Sequence, residues 1–486
     1  MYKLNQNETP VFDALMEYVN RKTIPFHVPG HKKGVGMDEA FKNFIGENPF
    51  KIDVTVFKLV DSLHHPTGAI KKAQELAADA YGSDAAFFSI HGTSGAIQAM
   101  ILSVVGDGDK IIIPRNVHKS VTAGIILSGS VPVYMQPELD KKVGIAHNVT
   151  PETVEKTLKE NPDAKAVLII NPTYYGVSTD IKKIAEIVHS YNIPLIVDEA
   201  HGPHLGFNDR LPISAMEAGA DMCAQSTHKI IGALTQCSLL QVKSKRIDVN
   251  RVHQVLSLLQ TTSPSYILMA SLDCSRRQIA LEGKELLDKA IDLATYARDE
   301  INKIPGFYCF GKELLGKPGV YALDPTKITI NCRNLGITGY DLDMLLCEKY
   351  HIQVELSDLY NVLAVGSFGD TQESIDALIN ALKEISNEHY GKGTKQNSFI
   401  DVPEIPENTA APRKAFNGVK ECVLLKDSVG KVSGEFLMAY PPGIPVLCPG
   451  EIITREIVDY VERLKETGLY VQGTEDPEVE YIKIVK

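Results

Sequence analysis

The sequence predicts an α/β protein: a large part built on a mostly parallel sheet, then a smaller α+β part and a small C-terminal part. Three observations lead there. Short, strongly apolar runs at 85–90, 110–113, 166–170 and 193–197 alternate with segments of helical periodicity, as in strands buried on both faces. Ser94, His118, Asn171, Asp198 and Lys229 all fall just past predicted strands, where ligands of such sheets bind. A polar tract at 391–413, with Pro403, Pro406 and Pro412, reads as a linker before the last part.

At 486 residues the chain exceeds one compact core. The expected division is an N-terminal helix and loop (1–35), a large domain (36–290), a small α+β domain (291–390), the linker (391–413) and a C-terminal domain (414–486). Val11, Phe12, Leu15, Met16 and Val19 are spaced for a helix over 8–22. The basic, Gly/Pro-punctuated stretch 27–34 is either a solvated connection or a loop lining a site. Residues 61–66 are similar, and Thr67 is placed to cap a helix running through Tyr81. The pair His64–His65 lacks a third ligand at fitting spacing, so no metal site is expected.

Strand 85–90 leads into the turn His91-Gly92-Thr93-Ser94-Gly95 and a helix expected from Ala96 to about Val105. Small residues at a helix start let an anion approach free N–H groups. The spacing is neither the dinucleotide fingerprint nor a P-loop. After strands 110–113, 166–170 and 193–197 come short apolar segments at 221–224 and 239–242, with Ser226-Thr227-His228-Lys229 between them. A helix over about 275–300, a strand at 325–332, a helix over 338–350 and a strand at 352–356 make the α+β domain. The final part is expected to hold a strand at 434–440, a rigid loop at 441–445 and a helix beginning near Glu451.

A carboxylate at one strand end and a lysine after the next suit pyridoxal phosphate, which needs a Schiff-base lysine and an acid facing its ring nitrogen. Lys229 is the candidate lysine, once burial lowers its pKa from near 10.4. Asp198 facing the pyridine nitrogen at ~4 Å is worth about 4 kcal/mol at an effective dielectric of ~20, roughly 3 pKa units. Glu199 is the alternative acid, leaving Asp198 structural. Thr93, Ser94, the backbone of Gly95, Ser226 and His228 are candidate phosphate ligands, helix capping being the other reading of the hydroxyls. His118 and His201 either serve the ring, by packing or proton transfer, or are ordinary partly buried histidines.

Apolar residues at 44%, charged residues at 23% and net charge −11 describe an acidic soluble protein, which argues against a nucleic-acid partner. No apolar run approaches the ~20 residues of a membrane span, and the polar start lacks a signal-peptide core. Eight scattered cysteines without a C-x-x-C pair are read as reduced thiols of a cytoplasmic protein.

With these residues placed, the chain resembles the ornithine/lysine/arginine decarboxylases of the aspartate-aminotransferase fold, and among them the short bacterial arginine decarboxylases. The matching stretches are FHVPGHKKG (26–34), HGTSGAI (91–97), IIIPRNVHKS (111–120), NPTYYG (171–176), VDEAHG (197–202), STHK (226–229), TTSPSYILMASLD (261–273), VELSDLYNVL (354–363) and YPPGIPVLCPGE (440–451). The resemblance implies fold type I of the pyridoxal-phosphate enzymes for the large domain and a lyase acting on arginine, with lysine or ornithine as alternatives. It implies Lys229 as cofactor lysine, Asp198 as ring-nitrogen partner, His118 stacked on the ring, and phosphate contacts from Ser94 and Ser226. It also implies a homodimer or higher homo-oligomer in which Thr262–Ser263 reach a neighbour's cofactor. The extra N-terminal domain of the longer members has no counterpart here, so a dimer is expected rather than larger assemblies. The proton donor is expected to be His228 or Lys229. Glu355, Asp358 and Glu451 are the candidate acids for a basic substrate side chain.

Overall fold

The computed structural model describes residues 2–392, 403–439, 444–466 and 471–486. Packing groups the chain into two compact units, one of Met1–Ser103 with Val197–Asp288, the other of Val104–Ile196 with Lys289–Lys486.

In the first unit, helix Pro10–Asn20 buries Val11, Ala14, Leu15 and Tyr18, while Met16 stays exposed. Its start is fixed by the Val11 N–H, which donates to Asp273 Oδ2 at 2.8 Å. Helix Ala69–Tyr81 is capped differently from the expectation placed on Thr67. The Asp61 carboxylate accepts the N–H groups of Ser62, Thr67, Gly68 and Ile70. Burial pushes that carboxyl up, but the donors outweigh it and hold it below its ordinary range. Strand Ala85–Ser89 pairs antiparallel with Ser238–Val242, which pairs antiparallel with Met222–Gln225; Leu195–Asp198 comes next in order. One strand is therefore reversed among parallel companions. The core beneath includes Phe88, Leu239, Ile70 and Tyr266, the last opening the 36-residue helix Tyr266–Ile301 nine residues before its expected start near 275.

The second unit holds the parallel strands Ala166–Ile170, Lys110–Pro114 and Val131–Met135, in that order. Ala166–Ile170 is buried at every position, as its apolar run requires. A separate antiparallel sheet runs Tyr308–Cys309, Lys327–Asn331, Asn361–Val365, Leu356–Ser357. Helices Gly339–Tyr350 and Gln372–His389 share its core through Leu342, Leu346, Ile375 and Leu382. The strand expected at 352–356 shrinks to Leu356–Ser357, and the strand that fills the sheet is Asn361–Val365.

In the C-terminal part, Leu437–Ala439 pairs with Ile444–Leu447 and Val471–Gln472, and Lys420–Leu424 pairs with Tyr481–Val485. Pro445 lies within a strand instead of a loop, and the helix begins at Arg455 instead of near Glu451. Residues 393–402 of the expected linker, Tyr440 of the expected strand and 441–443 of the expected loop lie outside the described residues. No helix of the described residues is long and apolar enough to cross a membrane.

Candidate active site

Strands Leu195–Asp198 and Met222–Gln225 end side by side in the first unit, the Glu199 N–H donating to Ala224 O and the Ser226 N–H to Ala200 O. Past these ends the chain turns sharply, and the one-turn helix Thr227–Ile230 presents Lys229. Lys229 Nζ lies 2.6 Å from His201 Nε2 on the neighbouring turn. An ammonium can only donate, so His201 accepts there.

The two acids divide their roles. Glu199 is wholly buried; Oε1 accepts the Ala215 N–H at 2.6 Å and Oε2 accepts from Gln225 Nε2 at 2.7 Å. It braces the turn, and burial pushes its carboxyl up to about 7. Asp198 accepts the Ala200 N–H on Oδ1 at 3.1 Å. Burial pushes it up to about 6 against that N–H and the charge of Lys229. Glu199 commits both oxygens to the turn, whereas Asp198 engages the Ala200 N–H through Oδ1, so Asp198 is the member of the pair that fits a cationic ring nitrogen.

A chain of hydroxyls lies at the start of the helix after the first strand. Thr93 Oγ1 is 2.5 Å from Ser226 Oγ and 2.9 Å from Ser238 Oγ, and all three residues are buried. The helix spans Gly92–Val104, so residues 92–95 form its first turn instead of preceding it. Gly92 has φ +66°, which favours glycine, and a Cβ on Gly95 would meet His91 Cβ at 2.9 Å. Ser94 is exposed. His228 is held by its Nδ1, 2.9 Å from Cys237 O. Thr262 and Ser263 are exposed just before helix Tyr266–Ile301. His64 uses both ring nitrogens, on Ser257 Oγ and Thr261 O, each at 2.8 Å.

The remaining candidates belong to the second unit. His118 caps helix Lys119–Ser128, its Nδ1 accepting the Ser120 N–H at 3.2 Å. Glu451 is wholly buried; its oxygens accept from Arg115 Nη1 at 2.5 Å, Arg115 Nη2 at 2.8 Å and the Cys448 N–H at 2.7 Å. Asp358 accepts from Tyr175 Oη at 2.6 Å and from the N–H groups of Tyr360 and Asn361. These two acids are engaged in holding the fold, which removes the reason for assigning them to a substrate. Glu355 is exposed.

The family model described as "Orn/Lys/Arg decarboxylase, major domain" matches residues 9–374, and that of the corresponding C-terminal domain matches 394–477. The chain belongs to this decarboxylase family. It is 50% identical to the arginine decarboxylase of Halalkalibacterium halodurans over 482 residues, 99% of this chain and 98% of that one. The arginine decarboxylase of Bacillus subtilis is 48% identical over 484 residues, 99% of each chain. Among solved structures, the lysine decarboxylase of Francisella novicida superposes with a TM-score of 0.86 at 25% identity, covering 98% of this chain and 81% of that one.

As a decarboxylase of this family the protein uses pyridoxal phosphate. The residues brought together in the first unit fit that group: Lys229 beside His201, the buried Asp198, and buried hydroxyls at a helix start. Sequence reasoning missed Ser238 and Gln225. Both sit on apolar strands with nothing beside them in sequence to mark them, and only the register Ser89–Ser238 and Leu239–Gln225 brings them to the site.

Proposed function

We propose that the protein decarboxylates L-arginine to agmatine and carbon dioxide, in polyamine biosynthesis in the cytoplasm. The observation that carries arginine over lysine or ornithine is the near-50% identity, along the whole chain, to proteins named arginine decarboxylase, against 25% to a lysine decarboxylase.

Bound pyridoxal phosphate supplies an electron sink for the bond to the departing carboxylate. His201 Nε2, 2.6 Å from Lys229 Nζ, accepts the proton that the lysine must lose to act as a nucleophile. Asp198 would hold a proton on the cofactor's ring nitrogen. Ser226 and Ser94, with the N–H groups opening helix Gly92–Val104, would hold the phosphate. The resemblance supports His118 as the residue packing on the ring. Segment 354–363 contains no arginine, which agrees with a carboxylate that must leave, since a tight clamp would oppose its loss. Of the three acids considered for the substrate's cationic end, Glu355 remains. His228 or Lys229 would supply the proton that replaces the departing carboxylate.

Exposed apolar side chains near the N-terminus, Ile24, Phe26, Val35 and Phe44 at 77–94% exposure, support a homodimer. Sedimentation velocity on the purified protein checks that assembly. Steady-state kcat/KM for arginine, lysine and ornithine, with products identified, tests the reaction. A preference for lysine or ornithine, or a keto acid in place of agmatine, overturns it.

A further inference from the structure

Asp198 and Glu199 are consecutive acids, and both are buried, at 4% and 0% exposure. Two carboxylates so placed repel each other, and their surroundings penalise each charge. One of them therefore keeps a proton, and the groups around each decide which. Asp198 lies in the field of the Lys229 ammonium. The hydrogen-bond partners of Glu199 are all neutral: the Ala215 N–H, the Gln225 amide and the Cys223 thiol. The charge bearing on it is that of Asp198, of the same sign, and Tyr81, which also faces it, is a buried phenol.

The atoms also show where the proton sits. A backbone N–H can only donate, so Glu199 Oε1, 2.6 Å from Ala215 N, is the accepting oxygen. The proton belongs on Oε2, which lies 2.7 Å from the Gln225 amide. That is an ordinary O–H···O length once the amide turns its oxygen there. The turn costs no hydrogen bond. With Nε2 toward Glu199, Gln225 Oε1 is buried without a partner among the described residues, and turning only exchanges the unpartnered atom.

We propose that Glu199 is a positioning residue whose Oε2 holds a proton, donated to Gln225, so that the turn bears one negative charge and bears it on Asp198. A cationic ring nitrogen then meets a single anion at a fixed place. Gln225, marked by nothing in the sequence, becomes the acceptor that makes this division of charge affordable. The inference rests on the reading that Asp198 faces the ring nitrogen.

The test is infrared difference spectroscopy of the holoenzyme at about pH 6, below the value of about 7 to which burial pushes Glu199. Wild type minus Glu199→Gln should show the C=O stretch of a protonated carboxyl, shifted in heavy water. With cofactor carrying nitrogen-15 in the ring, Glu199→Gln should keep the ring nitrogen protonated, and Asp198→Asn should lose the ring proton or the cofactor. Glutamine also has the shape of the protonated acid. In cofactor-free protein its denaturant midpoint should match the wild type near pH 4. It should exceed the wild type increasingly between the ordinary 4.5 and about 7, a pH dependence that a plain structural brace does not give. Loss of a carboxylate band instead, a deprotonated ring nitrogen in Glu199→Gln, a lower midpoint at about pH 7, or a glutamine variant that does not fold overturns the proposal. A ring nitrogen still protonated in Asp198→Asn sinks the parent reading and leaves the Glu199 band standing.

Discussion

Asp198 should make the cofactor-free protein less stable than it need be. Its carboxyl is pushed from the ordinary 3.8 to about 6, chiefly by burial, with the Ala200 N–H and Lys229 opposing. That is about two pKa units, or about 3 kcal/mol at 1.36 kcal/mol per unit. For an acid whose folded pKa lies above its unfolded one, the native state holds the proton longer. Stability is then highest below about pH 4, falls between pH 4 and 6, and stays reduced above 6. Asp198→Asn keeps the acceptor for the Ala200 N–H and removes the titration. Denaturant midpoints of the two cofactor-free proteins should coincide near pH 4. They should part as pH rises, until the variant is more stable by up to about 3 kcal/mol at pH 7. Glu199, pushed up to about 7, adds a slope of the same sign to both proteins. Saturating pyridoxal phosphate should narrow or reverse the gap, because only the wild type offers the ring nitrogen an anion. A variant no more stable at pH 7, or a gap undiminished at pH 4, would refute the reasoning.

Lys229→Ala should abolish decarboxylation, and peptide mapping after borohydride treatment with pyridoxal phosphate should find no adduct at position 229. His201→Gln removes a ring nitrogen 2.6 Å from Lys229 Nζ. It should lower kcat by about 10²-fold while leaving the thermal midpoint nearly unchanged. Glu451→Ala strands a buried guanidinium whose remaining contacts include Val446 O and the Tyr134 ring. It should destabilise the protein by about 3–5 kcal/mol, and replacing both Arg115 and Glu451 with Met should recover most of that in thermal unfolding.

Strand ends were the legible part of the site. Ala166–Ile170 is apolar at every position because it is buried on both faces, and the candidates Lys229 and Asp198 follow similar apolar runs. Capping was less legible, because a cap need not adjoin the helix it serves. Asp61 sits eight residues before Ala69 yet accepts the Gly68 and Ile70 N–H groups, the capping role expected of Thr67. Asn361–Val365 escaped because Val362, Leu363 and Val365 lack the spacing of a half-exposed strand, while the neighbouring 352–356 run looked stronger although its strand is only Leu356–Ser357. Glu451 read as a candidate acid for the substrate side chain since its partner is at Arg115, and no local pattern reports a pairing at that separation. The choice between Asp198 and Glu199 needed Gln225 and Ala215, contributed by other turns.

The pairing of Arg115 with Glu451 spans 336 positions along the chain. During synthesis the guanidinium emerges long before the carboxylate that neutralises it, and an unmatched buried charge is strongly disfavoured. Packing around Pro114 must therefore stay open to water until nearly all of the polypeptide has left the ribosome. Ribosome-bound chains halted before residue 451 should remain open to proteases around position 115, and release of the last segment should close that window.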